Sequence, residues 1–157
     1  LFGELDMNLQ RRKLMQMTAL VGLMASAGLI TQAEAATWDK AAFEAKSVDD
    51  VVKALGGSTA PTVSDKVTLR APDIAENGAV VPVGVESSLP ATQMAILVEK
   101  NPSALAAMFI LPEGAEPFAS TRVKMGKSSN VIALVKSDGK WFMSAKEVKV
   151  TLGGCGG

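Results

Sequence analysis

From Lys66 onward the chain breaks repeatedly into short segments of alternating apolar and polar residues, each closed by a turn signal. A period of two sends successive side chains to opposite faces of a strand, so this part must fold as β-structure. Val67 and Leu69 alternate with Lys66, Thr68 and Arg70. Asn77-Gly78 is a turn signal before the Val-rich segment Ala79 to Val85. Pro82 marks that segment as an edge strand or a bulge, because proline has no N–H for a central ladder. Met94 to Val98 and Ala104 to Leu111 are apolar runs, ended by Glu99-Lys100-Asn101-Pro102 and Pro112-Glu113-Gly114. Thr121 to Met125 alternates, with Val123 and Met125 opposite Arg122 and Lys124. Val131 to Val135, the turn Ser137-Asp138-Gly139 and Trp141 to Met143 read as a hairpin. Glu147 to Leu152 alternates again, with Val148, Val150 and Leu152 on one face.

This pattern gives about seven or eight short strands with turns roughly every 8 to 12 residues. The expected fold class is mainly β: an immunoglobulin-like β-sandwich of two sheets, preceded by short N-terminal helices and followed by a flexible Gly-Gly-Cys-Gly-Gly arm. With one cysteine in the chain, the inter-sheet disulfide of antibody domains is excluded, so the architecture alone is implied.

Thr37 to Gly57 reads as helical. Trp38, Ala42 and Phe43 make a loose apolar face, and Ser47 with Asp50 resembles a capping box with Asp in place of Glu. Val48, Val51, Val52 and Leu55 form one stripe, and Gly56-Gly57 stops the helix. Ser58 to Ser64, with Pro61, is expected to be a connector.

The first part of the chain differs from the rest. Met7 reads as the start, with Leu1 to Asp6 an over-extension. Arg11-Arg12-Lys13 precedes an uncharged apolar run from Leu14 to Ile30, and Ala33-Glu34-Ala35 fits a small-x-small cleavage site. A run so rich in Gly, Ala, Ser and Thr is weakly apolar, which favours a signal peptide over a membrane span. Arg11 and Arg12 ahead of it read as a twin-arginine signal, in preference to an ordinary secretory one. The expected organisation is therefore 1–35 as over-extended start and signal, 36–152 as helical start and β-sandwich, and 153–157 as the arm. The expected location is the periplasm, with no membrane anchor after cleavage.

Composition narrows the chemistry. Histidine and tyrosine are absent, which excludes imidazole acid–base work, His-ligated metals and a tyrosine acid. Lys+Arg 16 balances Asp+Glu 16, which argues against a broad nucleic-acid footprint. Asp49-Asp50 suits a solvated helix face better than an acid–base pair. Met94, Met108, Met125 and Met143 sit in apolar strand patterns and suit core packing better than copper binding. Lys124, Lys127, Lys136, Lys140, Lys146 and Lys149 could equally line a basic surface near the arm or guard strand edges against aggregation.

The end of the chain carries the chemistry that is left. Cys155, the sole thiol, lies between Gly153-Gly154 and Gly156-Gly157. Glycine has wide backbone freedom and no side-chain bulk, so the thiol is expected on a thin, mobile arm that a narrow channel could admit. An exposed thiol in an oxidising compartment is suited to carrying a bound group, bridging to a partner or sensing redox state. No histidine exists to activate it as a nucleophile, so the arm reads as a cargo site that depends on other proteins.

The terminus Gly153-Gly154-Cys155-Gly156-Gly157 resembles that of the SoxY family of sulfur carriers. The twin-arginine leader, Ala45–Asp50, Lys66–Val83 and Ser144–Thr151 are similar to that family as well. The resemblance implies a periplasmic, non-catalytic carrier, with Cys155 as the attachment residue and Gly153, Gly154, Gly156 and Gly157 as the swinging arm. It implies no catalytic residue, no metal and no cofactor. The implied partners are a SoxZ-like β-sandwich subunit in a heterodimer, the SoxAX cytochrome, the SoxB hydrolase and, in some bacteria, a sulfane dehydrogenase. The rival reading is an exported immunoglobulin-like interaction module whose cysteine links covalently to a partner chain. Export of a reporter fused to residues 1–35 is expected to stop when the twin-arginine machinery is deleted. Continued export would identify an ordinary secretory signal instead.

Overall fold

The structure is a computed structural model that describes residues 39–58 and 60–151. Arg11 and Arg12 of the expected signal, Trp38, Leu152 and the arm with Cys155 lie outside the described residues.

Among the described residues the expected short N-terminal helices are two. Helix α1 spans Lys40–Glu44, with the Asp39 side chain accepting from the Ala42 N–H at 3.1 Å. It ends because Ala45 turns to an extended backbone, φ −63° and ψ 140°. Helix α2 spans Val48–Ala54 and starts at Ser47, whose hydroxyl accepts from the Asp50 N–H at 3.2 Å. The same hydroxyl donates to Asp50 Oδ2 at 2.7 Å, so the shorter Asp contacts the Ser side chain rather than reaching back to its N–H. At the other end Gly57 N–H bonds Val52 O and Gly56 N–H bonds Lys53 O, with Gly56 at φ +82°. These two bonds form a Schellman motif, which requires the left-handed backbone that glycine supplies.

Among the described residues nine strands follow: β1 Thr62–Val63, β2 Val67–Arg70, β3 Ile74–Ala75, β4 Val81–Ser87, β5 Gln93–Val98, β6 Leu105–Ile110, β7 Phe118–Val123, β8 Ser129–Ser137 and β9 Lys140–Val150. The larger sheet runs β1-β9-β8-β5-β6, with β3 also paired to β9; the smaller runs β2-β4-β7. Together they make the expected immunoglobulin-like β-sandwich. Asp138 at φ 53° and Gly139 at φ 74° turn β8 into β9. Two consecutive positive φ values match the right-handed twist of the hairpin they join.

The larger sheet is buried on both faces. Met94, Ile96, Val98, Val131, Ala133, Val135 and Val148 face the smaller sheet, where Val67, Val81, Val83, Val85, Ala119 and Val123 meet them. Ala95, Leu97, Ile132, Leu134 and Trp141 face the helices and meet Ala42, Val51 and Val52. Strands covered on both faces need apolar residues at every position, which is why β5 and β8 read as continuous runs. The helices thus form a third layer on the sandwich.

Three strand expectations change. β4 is the central strand of its sheet, not an edge. Yet β2 ends at Arg70 opposite Gly84, so Val81–Val83 pair with β7 alone. Pro82 therefore sits where the central strand has a locally open side, and no ladder bond is lost to β2. Trp141–Met143 and the described part of the second segment, Glu147–Val150, belong to one strand, whose register with β8 is unbroken from Lys140 to Val148. Backbone pairing carries it through polar Ser144–Glu147, where side-chain alternation fades. Thr62–Val63, expected as connector, pairs in parallel with Phe142–Met143.

Leu134 is fully buried between sheet and helices. Leu134→Ala is expected to destabilise the fold by about 2–5 kcal/mol in chemical denaturation. A loss below about 1 kcal/mol would mean that the helical layer is not packed as described.

Candidate functional site

The described residue nearest in sequence to Cys155 is Thr151, so the site is best built from the end of β9. One side of that end is held by β8, up to the pair Ser129–Val148. Beyond the pair, the Val150 N–H donates to Ser128 Oγ at 2.8 Å. The other side is held by β3, which lies parallel with Ile74 opposite Lys149 and Ala75 opposite Val150. Lys149 N–H donates to Asp73 O at 3.0 Å, and Thr151 N–H donates to Ala75 O at 3.2 Å. The strand is therefore gripped from both sides up to Thr151.

The grip comes from a strap, residues 71–79. Lys146 fastens its start: Nζ donates to Ala71 O at 2.7 Å and lies 2.8 Å from Asp73 Oδ1. An exposed ion pair is screened by water and salt and contributes little alone. The carboxylate of Asp73 is exposed, whereas the bond to Ala71 O is partly buried, so the two-point hold matters more than the pair's Coulomb energy. Gly78 fastens the other end of the strap. Met125 N–H donates to Gly78 O at 2.6 Å, and a Cβ on Gly78 would lie 2.5 Å from Met125 O and 2.9 Å from Val150 Cγ1. Only glycine permits this approach of strap to strand.

Hydrogen bonding from Lys146, then its charge, holds the Asp73 carboxyl below its ordinary value of 3.8. A carboxyl lowered by folding contributes fully above its unfolded value and loses that contribution as pH falls through the folded one. The Asp73 part of the fastening is thus complete at neutral pH and is lost in acid, while the bond from Lys146 to Ala71 O remains.

Covalent geometry limits Cys155 to about 14 Å from Thr151, four residues at up to ~3.6 Å each. A large surface groove lies at the hairpin end, between Ser88–Thr92, Leu111–Pro117 and Ser137–Lys140. β9 alone separates the two ends by about 33 Å at ~3.3 Å per residue. Cys155 therefore cannot reach that groove on its own chain.

The expected lysine group does not stay together. Lys136 and Lys140 are at the hairpin end, with Lys136 Nζ 5.7 Å from the Trp141 ring centroid. Lys146 is engaged in the strap. Lys149 remains exposed beside the root of the arm, and Lys124 and Lys127 lie in the β7–β8 loop at the same end. Asp50 is a helix-cap partner of Ser47, and Met94 and Met125 are buried in the core. The arm residues Gly153, Gly154, Cys155, Gly156 and Gly157 lie outside the described residues. Sequence reasoning missed the pairing of Asp73 and Lys146. Its one trace was the run Asp73-Ile74-Ala75, too short to register as a strand.

A family model, "Sulfur oxidation protein SoxY", matches residues 52–155, a span that includes the strap and Cys155. No curated protein matches the chain. Among solved structures, the sulfur carrier protein SoxY from Chlorobium limicola f thiosulfatophilum is similar at 39% identity and TM-score 0.61, covering 66% of this chain and 96% of that one. A superoxide reductase (neelaredoxin) from Ignicoccus hospitalis is similar at 18% identity and TM-score 0.49, over 55% of this chain and 80% of that one. The second likeness is too slight to bear on the chemistry.

Lys146→Met is expected to speed amide exchange at Lys149 and Thr151 roughly fivefold, the effect of about one lost hydrogen bond. Amides in the middle of β8 should keep their rates. Unchanged exchange at Lys149 and Thr151 would show that the strap does not depend on Lys146.

Proposed function

The chain belongs to the SoxY family of sulfur oxidation proteins, a family of sulfur carriers, and from that premise we propose that it is a periplasmic carrier holding thiosulfate-derived sulfur covalently on Cys155. The observation that carries this reading is the strap, which holds β9 from its outer side up to Thr151, four residues before Cys155 in the sequence. A carrier needs a body for partners to dock on and a thiol that enters their active sites.

The chemistry balances without a catalytic group on this chain. The Cys155 thiol and thiosulfate join as cysteine S-thiosulfonate, with loss of a proton and two electrons that a SoxAX-like cytochrome accepts. Water then cleaves the terminal S–SO3 bond in a SoxB-like hydrolase, releasing sulfate and leaving a persulfide on Cys155. A sulfane dehydrogenase would oxidise that remaining sulfur where the organism has one. The glycines at 153, 154, 156 and 157 keep the tether narrow at each of these entries. A SoxZ-like subunit completes the carrier as a heterodimer. Twin-arginine export fits such a protein, because that route carries chains already folded.

Cys155→Ser is expected to abolish loading by thiosulfate and the cytochrome partner, measured as adduct mass, and to leave thermal unfolding within about 1 °C of the unsubstituted protein. Adduct formation on the serine variant would refute the assignment of Cys155.

A further inference from the structure

We infer that Asn77 is a site of self-modification: the Gly78 nitrogen closes on the Asn77 carboxamide, expels ammonia and leaves aspartate or isoaspartate in the strap. This goes beyond the carrier reading and stands whether or not Cys155 holds sulfur.

The sequence already separates this asparagine from the others. The chain has four, Asn8, Asn77, Asn101 and Asn130, and Asn77 alone precedes glycine. Ring closure brings the next backbone nitrogen onto the side-chain carbonyl carbon, and glycine leaves that path open because it has no Cβ. Asn101 precedes Pro102, whose nitrogen has no proton to lose. Asn130 precedes the branched, fully buried Val131, and its carboxamide donates to Glu99 Oε2 at 3.0 Å. Asn8 lies outside the described residues.

The strap supplies the geometry. Asn77 is exposed and opens a β-turn in which its main-chain oxygen accepts from the Val80 N–H at 3.2 Å. Its Oδ1 accepts from the Ala79 N–H at 3.0 Å. That bond holds the carboxamide over the Gly78 peptide unit, beside the nitrogen that attacks it. The same N–H stabilises the negative charge that develops on Oδ1 as the ring closes. Among the described residues nothing accepts from the Gly78 N–H, so its proton can leave to a base in solvent.

The atoms balance without a partner. The Gly78 N–Asn77 Cγ bond forms, the Cγ–Nδ2 bond breaks, and ammonia departs with the equivalent of the Gly78 amide proton. Water then opens the imide at Cγ to give aspartate, or at the main-chain carbonyl carbon to give isoaspartate. Water is consumed, ammonia is released, and nothing is oxidised. In isoaspartate the main chain runs through the side-chain carbons and is a methylene longer. Gly78 has no room for that displacement: the Met125 N–H donates to Gly78 O at 2.6 Å, and even a Cβ on Gly78 would lie 2.5 Å from Met125 O. Isoaspartate at 77 therefore releases the Gly78 end of the strap, while Lys146 still holds the other end at Ala71 O.

The test holds the full chain at neutral pH and moderate warmth, beside a free peptide of residues 74–80. Peptide mapping by mass spectrometry follows the replacement of NH2 by OH at each asparagine and separates aspartate from isoaspartate. Asn77 is expected to convert within about tenfold of the free peptide's rate, with Asn101 and Asn130 intact. In the isoaspartate product the Met125 amide should exchange roughly fivefold faster, the effect of about one lost hydrogen bond. Asn77→Gln, whose larger ring closes more slowly, should stay unmodified and keep the original exchange rate under the same treatment. Asn77→Asp adds the charge without the longer chain and should also keep it. An Asn77 still intact once the peptide has converted overturns the site, as does equal conversion of Asn130. Unchanged Met125 exchange in the isoaspartate product, or equally fast exchange in Asn77→Asp, overturns release by the lengthened chain.

Discussion

Backbone hydrogen bonding on both sides of β9 is the interaction on which the useful part of this fold depends. Along most of its length β8 supplies one side. The other side is open except where two short parallel strands, β1 and β3, close it. β3 matters most, because it lies at the last residues before the arm. A strand end held from one side only would fray residue by residue. With Lys149 and Thr151 both bonded to the strap, β9 is held on its outer side as far as Thr151.

The rest of the molecule makes that hold possible. β9 lies next to β8, and β8 next to β5; these last two are covered by the smaller sheet on one face and by α1 and α2 on the other. A sheet buried on both faces cannot shift register without moving apolar residues into solvent on both sides. The registered hairpin in turn places Lys146 within reach of Ala71 and Asp73. The order of causes runs from core to register, from register to strap, and from strap to the hold on the last residues of β9.

Much of this was open to sequence reasoning, and the failures have physical reasons. Alternation located β2, β7 and the end of β9, because those segments face solvent on one side, and the turn Ser137-Asp138-Gly139 located the hairpin. The apolar runs of β5 and β6 marked strands, but nothing in them showed that helices would cover β5. Pro82 suggested an edge, and the structure places it on a central strand at the one stretch where its neighbour has already ended. β1 and β3 were invisible because two residues carry no period. The tail motif singled out Cys155 directly, since four glycines around a lone cysteine need no fold to be noticed. The strap that serves it depends on contacts between residues 75 apart, such as Lys146 with Ala71, which no local pattern encodes.

The account stands on covalent cargo at Cys155, and the intact mass of the protein from the periplasm of thiosulfate-grown cells tests this most directly. Measured with and without reductant, the account predicts reductant-removable additions of sulfur or of thiosulfonate, mapped to Cys155. A single unmodified mass, or a disulfide to another protein as the only modification, would contradict it and favour an exported interaction module.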